Sequence, residues 1–334
     1  MAGQALHLQR LIDQAGAMEP IRVAVVDAAQ GVVIDTLREA HALGFVEPLL
    51  VGEPKATATI CEERDWKAGK DWIVPATGDA AAAAKAVALV RAGKADAIMK
   101  GNIHTDELMH ALLNKERGLR VPGRRVSHVF LADVSSHPKL LAITDAAINI
   151  SPDLGAKAQI LQNAVDLCRL LGVEMPRVAV LSAVETVNPE ISSTLDAACL
   201  SLMSRRGQIT DAIVDGPLAF DNAISRRAAS EKGIASPVAG EADILLVPDL
   251  VSGNILAKNL ESLAGAVVAG IAVGFSVPVI LTSRADPAPA RLASLAVAAL
   301  MHHRAPVSRP RTAAPESSIH CAPQPEHACC PIPG

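Results

Sequence analysis

Two stretches near the C-terminal end combine residue types that can hold an anion: Val247–Asn259, VPDLVSGNILAKN, and Val277–Asp286, VPVILTSRAD. In each, an apolar run of strand length breaks into small polar residues beside a basic one. Gly253 lets backbone approach a ligand, Asn254 can cap a helix beginning at Ile255, and Lys258 returns one turn later on the same face. A helix N-terminus with free N–H groups and a nearby ammonium is a phosphate cradle; the plainer reading is a capped helix with a solvated lysine. In the second stretch Arg284 offers a planar fork for phosphate, Ser283 a neutral hydrogen bond, and Asp286 a carboxylate that can act as base or orient the arginine. The plainer reading there is a polar turn with a local Arg–Asp pair.

Other strand ends carry similar groups: Lys100-Gly101-Asn102 after one, Ser182 with Glu185 and Asn188 after another, Asp215-Gly216-Pro217 with Asp221 after a third. Each alone reads as a turn, Gly216-Pro217 above all. Asp211 and Asp215 share the spacing of metal carboxylates, but on an extended strand that spacing makes no compact pocket, and no metal is expected. The weight lies in convergence, because the strand ends of a doubly wound sheet face one crevice. No GxGxxG follows the first strand, and there is neither a Walker loop nor a GxSxG elbow. The residues imply a phosphorylated ligand without a dinucleotide or nucleophilic-serine signature.

The elements that must position these groups follow βαβ grammar. Arg22–Val26, Pro48–Val51, Ala95–Met99, Val126–Ala132, Ala146–Ile148, Arg177–Ser182, Ile209–Val214, Ile244–Val247 and Val277–Leu281 read as strands. Gly31–Leu43, Ala80–Arg91 and Leu154–Leu171 read as helices, the last ended by Gly172. Successive parallel units imply an α/β fold of two doubly wound lobes with a cleft between them. Leu263–Leu281 is nearly all apolar but rich in Ala and Gly and broken by Ser276 and Pro278; it reads as a buried helix, a turn near Gly274 and a buried strand, not a membrane span. From Ala305 the chain carries seven Pro and no hydrophobic period, so 305–334 reads as a disordered tail. Its Cys321, His327, Cys329 and Cys330 lack zinc-finger spacing.

Composition narrows the ligand further. Aromatic residues make up 2% of the 334, with no Tyr, so a nucleotide base would rest on aliphatic or guanidinium surfaces. A formal charge of −4 gives no basic field for nucleic acid or acidic membranes. The start, MAGQALHLQR, has no continuous apolar signal segment, and the Cys at 61, 168, 199, 321, 329 and 330 form no disulfide framework; both fit the cytoplasm.

From about Val23 to His302 the chain resembles the phosphate acetyl/butyryltransferase family, most closely its butyryltransferase-like branch. IMKGNIHTDEL, RRVSHVFL, ITDAAINISPDL, VAVLSAVETVNPEI, DAIVDGPLAFDNAIS, AGEADILLVPDLVSGNILAK and VPVILTSRAD carry the resemblance. It implies reversible transfer of a short-chain acyl group, acetyl or butyryl, between coenzyme A and inorganic phosphate, with no metal or prosthetic group. It also implies a fold like that of isocitrate and isopropylmalate dehydrogenases, with one lobe of 1–125 plus 273–304 and another of 126–272. Ser283 and Arg284 match the family's Ser-Arg pair, Arg284 neutralising phosphate and Ser283 bonding the thioester carbonyl. Family acetyltransferases carry an Asp where Ala290 stands; Asp286, which fits the SRAD pattern of the butyryltransferase-like branch, takes the role of base or else orients Arg284. Asn254 and Lys258 carry the family's GN-x-x-x-K pattern near phosphate, with Gly253 and Lys100 in the same binding set. Arg120 stands for the family's second arginine, with Arg124 behind it, and Asp215 and Asp221 shape the cleft. A decarboxylating dehydrogenase of the same architecture, using NAD(P) and a metal, and a non-catalytic CoA-binding protein are the alternatives. A closed homo-oligomer, at least a dimer, is the default assembly.

Overall fold

Apolar runs buried on both sides become the strands of one mixed sheet: β1 (Ile21–Val26), β2 (Val46–Gly52), β3 (Ile73–Pro75), β4 (Ala97–Lys100), β5 (Ser127–Asp133), β6 (Leu141–Thr144), β7 (Arg177–Leu181), β8 (Ile213–Leu218), β9 (Ile244–Leu246), β10 (Val267–Val273) and β11 (Val279–Ile280). The structure is a computed structural model that describes residues 5–69, 71–281 and 286–305. Ser283, Arg284 and the stretch 306–334 therefore lie outside the described residues. Strand order is β3-β2-β1-β4-β11-β10-β5-β6-β9-β7-β8. The first five strands in this order are mutually parallel, as are the last four. Three antiparallel pairings, β11–β10, β10–β5 and β5–β6, join the two runs.

An odd number of reversals directs the two parallel runs oppositely. The carboxyl ends of β4 and β11 lie at one edge of the sheet, and those of β6, β7, β8 and β9 at the other. The expected gathering of five strand ends at a single edge does not occur.

Helices α1 (Leu6–Gly16), α2 (Gly31–Ala42), α3 (Pro54–Glu63), α4 (Asp79–Arg91), α5 (Thr105–Leu113), α6 (Leu154–Leu170), α7 (Ser192–Arg205), α8 (Phe220–Ile224), α9 (Arg226–Glu231), α10 (Leu250–Ser262) and α11 (Ala288–Arg304) complete the chain. Strand alternation sorts the core into two faces. On the back face Val25, Met99, Ile280, Ile271, Val129 and Leu246 belong to one continuous cluster with α1, α2, α6, α7 and α11. On the front face Ala24, Ile98, Val279 and Ala272 pack with α4 and α5, while Ala132, Ile143 and Leu245 form a separate cluster with α8 and α10. Contacts gather residues 1–304 into one unit.

Three expectations need correction. Leu263–Leu281 contains no helix: VVAGIAV is a strand buried on both faces, and Gly274, at φ 91°, turns it toward β11. Ala146–Ile148 is a loop after β6, drawn out of the ladder because the Asp145 carboxylate accepts the N–H groups of Ala147 and Ile148 at 2.9 and 3.0 Å. Gly216-Pro217 lies inside β8, the last strand of the sheet, where an edge tolerates the missing N–H of proline.

Candidate functional site

Between the two front-face clusters runs the strip formed by β10 and β5. Register pairs His128 with Ala272, Ala272 with Val279, and Val279 with Ile98, so these four cross the sheet in one row. Two residues further along each strand, on the same face, come Lys100, Leu281, Gly270 and Phe130. Lys100 is 6% exposed. A buried lysine thus ends the strand beside β11, and β11 leads toward 282–286.

The edge around Lys100 is built tightly. Gly101 N–H donates to Val26 O at 2.9 Å and Asn102 N–H to Asp27 O at 2.7 Å. A Cβ on Gly101 would stand 2.2 Å from Asp27 O, so only glycine fits. Asp27 itself has φ 54°, a conformation costly for a residue other than glycine. Burial pushes its carboxyl pKa up, Asp79 adds to this, and a hydrogen bond from Asn102 opposes it. The sequence reading did not single out Asp27; its signal is an acid directly after a buried strand.

On the other side of the strip, α10 begins at Leu250 rather than Ile255. Its cap is Asp249, whose Oδ1 accepts from Ser252 N–H at 2.8 Å. Gly253 N–H donates to Asp249 O at 3.2 Å, so the anticipated cradle of free N–H groups at Gly253 and Asn254 is absent. Gly253 serves packing instead: a Cβ there would lie 2.6 Å from Val247 Cγ2 and 2.9 Å from Ala146 Cβ. Asn254 Nδ2 reaches Ala146 O at 3.4 Å, and Lys258 Nζ pairs with Glu261 Oε2 at 2.8 Å.

The other candidates lie on several different elements. Asp215 is on β8, seven strand steps from β4, on the order of 30 Å at about 4.8 Å per step. Asp221 is exposed on α8 and pairs with Lys232 at 3.2 Å; that hydrogen bond lowers its carboxyl pKa. Arg120 is exposed, with its backbone bridged to Phe275 beyond the end of β10, and Arg124 pairs with Asp166. Asp286 is half-buried, and its charge acts on Arg291, a guanidinium only 2% exposed whose pKa burial lowers. A cavity of about 780 Å³ between α4 and α5 includes none of these residues.

His128 was not singled out either, although it lies in the quoted RRVSHVFL. It is 1% exposed, and neither ring nitrogen has a hydrogen-bond partner among the described residues. Burial pushes its pKa down to about 4 against the pull of Asp145. Its ring meets Phe130 edge-on, with centroids 4.4 Å apart. The available signal was alternation: His128 and Phe130 fall on the face opposite Val129 and Leu131. A buried cation, an apolar floor and an unpartnered imidazole together suit an anion that carries a short apolar group.

A family-wide sequence profile described as phosphate acetyl/butaryl transferase matches residues 77–299. Phosphate acetyltransferase of Rhizobium meliloti is 51% identical over 297 residues, 89% of this chain and 94% of that protein. Phosphate butyryltransferase of Clostridium acetobutylicum is 42% identical, over 87% of this chain and 96% of that protein. The crystal structure of a branched-chain phosphotransacylase from Enterococcus faecalis V583 superposes with a TM-score of 0.72 at 30% identity, covering 85% of this chain and 99% of that one. With a profile and relatives matching along most of its length, the chain belongs to the phosphate acetyl/butaryl transferase family.

Proposed function

We propose that the protein is a phosphate acyltransferase that moves a short-chain acyl group, acetyl or butyryl, reversibly between coenzyme A and inorganic phosphate. The observation that carries this reading, beyond family membership, is the front-face seam: buried Lys100 lies beside Leu281, the last described residue before the family's Ser-Arg pair. CoA and phosphate are substrates, and the chemistry asks for no prosthetic group.

Toward acyl phosphate, a phosphate oxygen bonds to the thioester carbonyl carbon, the C–S bond breaks, and CoA leaves as a thiolate that takes up a proton. The reverse starts from thiolate, and an ordinary thiol, with pKa about 8.5, is mostly protonated at pH 7. The reaction therefore needs an anion clamp, a donor to the carbonyl oxygen and a proton acceptor. Arg284 and Lys100 supply the clamp, Ser283 the donor, and Asp286 either accepts the proton or orients Arg284. Asn254 and Lys258 lie near the phosphate, Gly253 packs the helix that carries them, and Arg120 is the second arginine.

The two front-face clusters are the two lobes of an isocitrate/isopropylmalate dehydrogenase-like fold, with the cleft along β10 and β5. The enzyme works in the cytoplasm as a homo-oligomer, at least a dimer; no helix among the described residues is long and apolar enough to cross a membrane.

The test is thiol release from acetyl-, propionyl- and butyryl-CoA, with and without phosphate. Phosphate-dependent release that is lost in Arg284→Ala supports the reading. Release without phosphate indicates a hydrolase, and no release with any acyl-CoA returns the choice to a dehydrogenase or a non-catalytic CoA-binding protein.

A further inference from the structure

What sets the length of the acyl group is open in the acyl-transfer reading, and the floor of the seam bears on it. Within the row Lys100, Leu281, Gly270 and Phe130, Gly270 leaves a notch between two half-buried apolar side chains. The ring of His128 fills that notch from the row beside it. A Cβ on Gly270 would stand 3.0 Å from His128 Cε1, 3.1 Å from its Nε2 and 3.3 Å from Phe130 Cε1. The notch is held in place from the back face: Gly270 N–H donates to Ser294 Oγ at 2.9 Å, and that hydroxyl donates to Ala290 O at 2.8 Å.

Imidazole is a costly filler. Two buried nitrogens without partners among the described residues lose hydration that a hydrocarbon of the same size would not lose, so packing alone does not explain the residue. A short apolar group on this row rests on Leu281 and Phe130, with the ring of His128 as the floor over Gly270 between them.

We propose that His128, packed into the notch of Gly270, is the specificity-determining residue that sets the depth of the acyl pocket. The inference rests on the acyl-transfer reading. Removing the ring deepens the floor, whereas crowding it raises the floor. Since one methylene in an apolar pocket changes kcat/KM by roughly 10–200-fold, a change in depth registers as a change in chain-length preference.

The experiment compares kcat/KM for acetyl-CoA and butyryl-CoA in phosphate-dependent thiol release by wild type, His128→Ala and Gly270→Ala. His128→Ala is expected to raise the butyryl-to-acetyl ratio about tenfold or more, and Gly270→Ala to lower it. If His128→Ala does not fold, His128→Asn, smaller and still polar, carries the same upward expectation. Ratios within about twofold of wild type in active variants overturn the pocket assignment and leave acyl transfer standing. Absence of phosphate-dependent release by wild type overturns both.

Discussion

The two faces of the sheet are built from the same strands, yet they differ in what covers them. The back face carries one cluster that runs through both parallel halves, with α11 buried at every position from Ala290 to Leu300. The front face carries two clusters that part along β10 and β5, and two adjacent rows there hold His128 in one and Lys100 and Gly270 in the other. A close-packed continuous core makes a rigid support, whereas a parted one leaves a concave place for a ligand. Stability should therefore be concentrated at the back and chemistry at the front.

The largest expected effect tests the back. Leu295 is 0% exposed in α11, so Leu295→Ala should cost about 2–5 kcal/mol through lost burial and a residual cavity. Urea unfolding reads this loss, and kcat/KM measured below the transition should stay near that of wild type. A large loss of activity in fully folded Leu295→Ala would break the division of labour. The matching test of the front is Lys100→Met, which keeps an apolar stem and removes the charge. If Lys100 clamps phosphate, kcat/KM for phosphate should fall about 100-fold, or about 2.7 kcal/mol. A fall of less than about threefold would remove Lys100 from the site.

A smaller effect follows from His128, with a definite sign. Its folded-state pKa is about 4 and lies below the ordinary 6.5, so between these values the unfolded chain binds a proton that the folded chain refuses. Stability is unaffected by this group above pH about 6.5 and falls as pH drops toward 4, by up to about 1.4 kcal/mol per pH unit. His128→Leu should flatten that part of the profile, as read from urea midpoints at pH 7, 6 and 5. Identical slopes in the two proteins would mean that the imidazole is hydrated in solution.

These residues also mark how far the sequence could be read. Strands such as β1 and β7 and helices such as α4 and α6 were legible because alternation, Ala content and terminal Gly are local signals. The place of Lys100 at a strand end was legible because it closes a buried apolar run. β10 was misread because VVAGIAV, buried on both faces, has no period to separate strand from helix. The opposite directions of the two parallel runs could not be read, since they depend on β10 pairing with β5, which lies far away in sequence. His128 and Gly270 stayed hidden for the same reason: residues 142 positions apart become neighbours only through that pairing. The start of α10 was misplaced at Ile255 because Gly253-Asn254 carries a local cap signal, whereas the cap is Asp249.

The smallest effect belongs to Asp221, and it sharpens the comparison by its size. Sequence pattern grouped this residue with the cleft, whereas the structure puts it on the surface of α8, bonded to Lys232, which also meets Glu185 at 3.6 Å. Water screens such a pair, and exposed pairs contribute about 0–1 kcal/mol. Asp221→Asn should therefore shift the urea midpoint barely and leave kcat/KM within about twofold of wild type. Added salt should shrink even that difference, because only screened charge is lost. A fall of about tenfold or more in kcat/KM, insensitive to salt, would mean that α8 closes onto the seam during turnover and that the working site extends well beyond the β10–β5 strip.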